Sequence, residues 1–135
     1  MSNNIQQNLH ELTRVTEFRL KLYPKDFYKV RDFYENTLGY QVVDSWDSEN
    51  DKGVMFNTGD AILELLTPKD GYKLVQGAGL SLMVKDIWAL WEKLKDHPNI
   101  IKPLSQKPSA WGDVGFRIAD PEGFQITFFS PAKKN

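Results

Sequence analysis

Asp60-Ala61-Ile62-Leu63-Glu64-Leu65-Leu66-Thr67-Pro68 returns 63 positions later as Gly123-Phe124-Gln125-Ile126-Thr127-Phe128-Phe129-Ser130-Pro131. Both stretches are apolar strands that close on a hydroxyl residue and a proline. A second pair lies upstream: Lys25-Asp26-Phe27 matches Lys85-Asp86-Ile87 at an offset of 60. In each pair the Asp stands where a strand pattern gives way to a helical one. Two offsets so close to each other, tying a helix start and a final strand in both halves, point to a duplicated unit.

Working outward, Phe18, Leu20 and Leu22 alternate with Arg19, Lys21 and Tyr23, the period-two pattern of a strand with one apolar face, which Pro24 ends. Phe27, Val30, Phe33, Tyr34 and Leu38 then recur at three- and four-residue spacing before Gly39, which predicts an amphipathic helix from Lys25 to Leu38. Tyr40 to Trp46, Gly53 to Asn57 and Ala61 to Leu66 read as three short strands. Their connections fall at Asp47, Ser48, Asn50, Asp51 and Gly53, then at Thr58, Gly59 and Asp60.

After a polar linker, Thr67 to Gly79, the order repeats. Leu80 to Val84 is a predicted strand, and Asp86 caps a helix whose apolar face is Ile87, Leu90, Trp91 and Leu94. Ile100 to Leu104, Asp113 to Ala119 and Phe124 to Phe129 follow as strands, the last two joined by the turn Asp120-Pro121-Glu122-Gly123. The expectation is an α+β chain of two tandem βαβββ units, about 15–68 and 79–131, inside one domain spanning 15–132. Residues 1–14, poor in apolar side chains, read as an N-terminal arm.

The 135 residues suffice for one domain with a real core. With 41% apolar and 26% charged residues, the chain is ordinary for a globular protein. A net charge of −1 with interspersed signs supplies no basic field for nucleic acid. No run approaches the ~18 apolar residues of a membrane span, and the N-terminal stretch lacks the pattern of a secretory signal. The absence of cysteine removes disulfides, a thiolate nucleophile and Cys-based metal sites, so a cytoplasmic location is expected.

Phe33-Tyr34-Glu35-Asn36-Thr37-Leu38-Gly39-Tyr40 resembles the first-helix signature of the glyoxalase/bleomycin resistance/extradiol dioxygenase (vicinal oxygen chelate) superfamily. Trp111-Gly112, Phe116 and Asp120-Pro121-Glu122-Gly123 are similar in spacing to the tail motif of its bleomycin-resistance-type members. With Val84-Lys85-Asp86-Ile87 and the duplication, the likeness runs from Thr16 to Pro131. It implies two curved mixed sheets enclosing a cleft on the side away from the helices.

Alternation then sorts the strand residues. If Leu20, Leu22, Leu63, Leu65, Leu80, Leu82, Ile126 and Phe128 pack under the helices, the cleft receives Arg19, Lys21, Ile62, Glu64, Leu66, Gly79, Ser81, Met83, Gln125, Thr127 and Phe129. Enzymes of the family hold a divalent metal at positions that the resemblance carries onto Arg19, Glu64, Gly79 and Thr127. Only Glu64 could ligate: a guanidinium has no lone pair, glycine has no side chain, and a threonine hydroxyl is a poor donor. His10 and His97 fall off the cleft strands and read as surface residues.

The resemblance therefore implies a metal-free, small-molecule-binding protein without cofactor, like members that sequester antibiotics in grooves shaped by a homodimer. The expected ligand contacts are Arg19, Lys21, Glu64, Ser81, Met83, Trp111, Arg117, Gln125 and Thr127. Arg19 and Glu64 would form either a structural ion pair or an anchor for a polar ligand. Two other readings stay open: a metal-dependent glyoxalase- or dioxygenase-like enzyme, lyase or oxidoreductase, and an interaction module with no small ligand. Trp46 and Trp111 read as residues of the cleft mouth, and Trp88 as lying off the buried helix stripe.

Overall fold

The computed structural model describes residues 8–68 and 75–132. Part of the arm and part of the Thr67–Gly79 linker lie outside the described residues, and residues 8–12 are helical with exposed side chains. Strand β1 (Phe18–Leu22), helix α1 (Phe27–Asp32), β2 (Gln41–Ser48), β3 (Asp51–Asn57) and β4 (Ala61–Leu66) form the first unit. The second consists of β5 (Gly79–Met83), helix α2 (Ile87–Leu94), β6 (Ile100–Lys102), β7 (Asp113–Ala119) and β8 (Gln125–Pro131). Each unit makes an open four-stranded sheet, ordered β1-β4-β3-β2 and β5-β8-β7-β6. In both, the first strand runs parallel to the last and the remaining pairs are antiparallel, so the architecture is α+β and repeats itself.

Burial follows the predicted alternation. Leu63 and Leu65 on β4, Val54 and Phe56 on β3, and Ile126 and Phe128 on β8 are buried, with Leu20, Leu80 and Leu82 packed partly buried against them. Helix α1 packs on β4, and α2 on β7 and β8. The Trp91 ring meets Phe116 at 5.1 Å between centroids, and Phe116 meets Phe128 at 5.6 Å. Phe18 departs from the pattern: it is 61% exposed at the start of its outer strand. Trp88, expected off the stripe, is half-buried against the core.

The helix predicted from Lys25 to Leu38 is interrupted. After α1, residues Phe33–Thr37 widen into a π turn, with the Leu38 N–H donating to the Phe33 carbonyl at 3.0 Å. The wider turn lets two consecutive aromatics, Phe33 and Tyr34, both turn inward. Gly39, at φ +76°, then reverses the chain as a helix-ending glycine does. Asp26 and Asp86 cap their helices as the sequence predicts, their carboxylates accepting from the Lys29 and Ala89 N–H groups.

Strand limits shift where side chains demand it. Gly53, predicted to end the turn and begin the strand, lies inside β3 opposite Trp46, and the turn shrinks to Glu49-Asn50. A Cβ on Gly53 would overlap the Trp46 indole, so the ring lies directly on bare backbone. Strand β6 stops at Lys102 rather than reaching Leu104.

The C-terminal turn ties the two units together. Asp120 Oδ1 accepts the Glu122 and Phe124 N–H groups at 2.8 and 3.0 Å, while Oδ2 accepts from the Tyr34 hydroxyl at 2.9 Å. The Glu122 carboxylate accepts the Lys25 and Asp26 N–H groups at 2.9 and 2.7 Å, just before α1. Burial, aided by the nearby Asp120 carboxylate, lifts the Tyr34 hydroxyl well above its ordinary pKa. Burial raises Asp120 too, against the lowering pull of its three hydrogen bonds.

Candidate functional site

The sequence-predicted site residues fall into two groups, one on each sheet. On the first, β1 and β4 run parallel in a register that sets Lys21 beside Glu64 and Arg19 beside Ile62, all on the face away from α1. The Glu64 side chain is buried, and its Oε1 has no hydrogen-bond partner. Arg19 NH1 stands 3.8 Å from that oxygen. The same guanidinium sits closer to the exposed Glu17, with Nε and NH2 at 3.2 and 3.1 Å from Oε2. Glu64 is thus a buried carboxylate held by a distant, shared cation.

The four positions corresponding to the family's metal ligands do not suit a metal. Arg19 brings positive charge to the one carboxylate that could ligate, Gly79 offers no side chain, and Thr127 Oγ1 accepts from Arg117 Nε at 3.3 Å. Among the described residues no group of three or more His, Cys, Asp or Glu converges elsewhere.

On the second sheet the face away from α2 forms an open groove of about 320 Å³. Its floor comes from β5, β7 and β8, where Ser81 pairs with Thr127, Thr127 with Arg117, and Phe129 with Gly115. Gly115 is needed: a Cβ there would lie 2.5 Å from the Phe128 carbonyl oxygen and 3.1 Å from Phe129 Cβ. Its wall is the segment from Lys102 to Trp111, which continues along the edge of β7 after β6 has ended. Ser105 Oγ accepts the Gly115 N–H at 3.0 Å, and the Ser105 N–H donates to the Gly115 carbonyl at 3.0 Å. Ser109 makes the matching contacts with Asp113 at 3.1 and 2.8 Å. Trp111, 79% exposed, stands at the rim.

The groove brings together Ser81, Trp111, Arg117 and Thr127 from the predicted set. Met83 and Gln125 lie on the same face of that sheet outside the groove, and Arg19, Lys21 and Glu64 belong to the other sheet and do not line it. Sequence reasoning missed Lys102, Lys107 and Asp113, which also line it. Lys107 sits in a segment with no periodicity. The prolines at 103 and 108 were the available sign that this segment tracks the sheet edge without joining it.

A more polar depression of about 540 Å³ lies on the helix side, between α1 and the segment before β6. His97, expected on the surface, is half-buried there. Its ring packs edge-on to Phe33 at 5.9 Å, and its Nδ1 accepts the Asn99 N–H at 3.0 Å. The imidazole is held in place by these structural contacts.

The sequence model of the Glyoxalase/Bleomycin resistance protein/Dioxygenase superfamily matches residues 14–128. No curated protein sequence matches the chain. Among solved structures, a member of that superfamily from Sphaerobacter thermophilus DSM 20745 is similar at 25% identity and TM-score 0.69, covering 87% of this chain and 98% of its own. TnmS3, an antibiotic binding protein from Streptomyces sp. CB03234, is similar at 20% identity and TM-score 0.68, with 88% and 98% covered. A lactoylglutathione lyase from Agrobacterium tumefaciens is similar at 17% identity and TM-score 0.65, with 87% and 94% covered. Among the described residues no helix is long and apolar enough to cross a membrane.

Proposed function

Because the chain belongs to the Glyoxalase/Bleomycin resistance protein/Dioxygenase superfamily, we propose that it is a metal-free binding protein that sequesters a small molecule, an antibiotic or a metabolite, without chemistry. The observation that carries this reading is the groove on the second sheet, where Ser81, Arg117, Thr127 and Trp111 converge on a space of about 320 Å³. The likeness in fold to an antibiotic binding protein supports it. So does the poor fit of Arg19, Gly79 and Thr127 to a metal.

Residues 15–132 act in this reading as one domain and 1–14 as its arm, in the cytoplasm. The groove is open on one side, and Phe18 and Met83, on the outer strands β1 and β5, are 61% and 63% exposed. A second copy covering those strands would close the groove and could bring Arg19, Lys21 and Glu64 of one protomer to the ligand, with Met83 and Gln125 at its edge. Light scattering on the purified chain tests the homodimer; a monomer at all concentrations removes it.

One observation favours a second reading, a metal-dependent lyase or oxidoreductase: the buried Glu64 oxygen that accepts no hydrogen bond. Metal analysis of protein purified without chelator, with a thermal-shift screen of metals and small molecules, separates the two. Stabilisation by organic ligands alone supports sequestration. Stoichiometric metal that is lost in Glu64→Gln would overturn it.

A further inference from the structure

The groove has a charge that the chain as a whole does not. The protein carries a net charge of −1, yet Lys102, Lys107 and Arg117 line the groove against one carboxylate, Asp113. None of the three cations takes part in an ion pair among the described residues. A concave surface with unbalanced charge focuses its field and selects ligands of the opposite sign.

Arg117 is also pre-oriented. Its Nε donates to Thr127 Oγ1 at 3.3 Å across the β7–β8 pair, while its terminal nitrogens make no hydrogen bond among the described residues. That fixes the guanidinium plane and leaves two parallel donors, the fork that suits a carboxylate, sulfonate or phosphate. The Ser105 and Ser109 hydroxyls are engaged with backbone, so they hold the wall in place. The Ser81 hydroxyl makes no hydrogen bond among the described residues, and Thr127, whose oxygen accepts from Arg117, keeps its hydroxyl hydrogen to donate to a bound oxygen.

The remaining surface is aromatic. Phe129 lies on the floor across the β7–β8 pair from Gly115, and Trp111 stands at the rim. A volume of about 320 Å³ lies at the small end of ligand pockets, which run roughly 300–1,000 Å³. It matches two or three fused rings better than a peptide. From these juxtaposed features we infer that the groove takes a planar aromatic anion, its acidic group on Arg117 and its rings between Phe129 and Trp111. The inference rests on the binding reading above and names its ligand class.

The test is calorimetric titration of the full chain at low salt with four probes: 2-naphthoate, neutral 2-naphthamide, cyclohexanecarboxylate and cationic 2-naphthylmethylammonium. The naphthoate should bind tightest, by roughly tenfold or more, because only it offers both the charge and the rings. Arg117→Gln should weaken the naphthoate by roughly tenfold to a hundredfold and leave the naphthamide unchanged. Added salt should weaken the two carboxylate probes and leave the naphthamide unchanged. If Arg117→Gln does not fold, the Lys102→Gln/Lys107→Gln double variant replaces it and should remove most of the salt dependence. Ammonium binding equal to naphthoate binding, or an Arg117→Gln loss shared equally by naphthoate and naphthamide, overturns the anion assignment and leaves a small-molecule groove. Failure of all four probes to bind sinks the binding reading and the inference together.

Discussion

Replacing Tyr34 with Phe removes one oxygen from the junction between the two units. The hydroxyl donates to Asp120 Oδ2 at 2.9 Å, and both residues are buried, so no water can replace the bond. A hydrogen bond to a charged group is worth about 1.5–3 kcal/mol net, because its loss strands a desolvated oxygen. Unfolding a chain of 135 residues changes entropy by about 2.1 cal/mol/K per residue, or ~0.28 kcal/mol/K in all. The expected loss is therefore a fall in Tm of about 5–11 °C at neutral pH. The Tyr34 hydroxyl favours the ionised form of Asp120, whose carboxyl is already raised by burial. Its removal raises that carboxyl further, so the penalty applies in full above the folded pKa and shrinks as pH falls through it. Calorimetric melts of both proteins across an acid series measure this. A Tyr34→Phe melting point within about 1 °C of wild type at neutral pH, or a loss independent of pH, would refute the reasoning.

Other perturbations bear on the same chain of argument. Asp120→Asn keeps the size and an acceptor but removes the titration: a carboxyl raised on folding loses stability as pH climbs from its ordinary value to its folded one, so wild type should show a falling slope there that the variant lacks. Gly115→Ala sets a Cβ against the Phe128 carbonyl and should cost about 1–3 kcal/mol in denaturant unfolding, together with the groove's affinity for any ligand found by screening. Arg19→Ala should lower the melting temperature only modestly, by the equivalent of about 1 kcal/mol or less, since the pair with Glu64 is long and Arg19 is 40% exposed. Glu64→Gln should melt at or above the wild-type temperature, because it neutralises a buried carboxylate whose Oε1 accepts no hydrogen bond and has only the long ion pair with Arg19; a drop of several degrees would show that Glu64 stabilises the fold as an ion.

Sequence alone carried far where a physical rule maps one residue to one geometry. Alternation along β4 and β8 placed Leu63, Leu65, Ile126 and Phe128 in the core, and two aspartates marked two helix starts. The same alternation put Ser81 and Thr127 on one face, and the parallel β5–β8 register sets them side by side. It failed where a side chain rewrites the backbone. Gly53 reads as the end of a turn and the start of a strand, yet the strand begins at Asp51 and the Trp46 indole lies on Gly53, a contact invisible without knowing which strands pair. Phe33 and Tyr34 are both apolar-facing, but a periodicity of 3.6 cannot show the π turn that lets both be buried. The cationic wall was illegible for a different reason. Lys102 and Lys107 look like any surface lysines until the Ser105 and Ser109 contacts hold their segment along β7.

The clasp between the units also bears on the order in which the chain can mature. Helix α1 is finished early in synthesis, but the carboxylate that receives the Lys25 and Asp26 N–H groups belongs to Glu122, and the acceptor for Tyr34 is Asp120. Gly59, aligned with Glu122 by the repeat, has no side chain to offer the second helix. The duplicated halves are therefore unequal in time as well as in composition. The earlier half leaves the ribosome with its helix start uncapped by Glu122 and becomes fully secured only after the final hairpin emerges. A nascent chain stalled before residue 120 should expose α1 to protease, although every residue of the first unit has already been made.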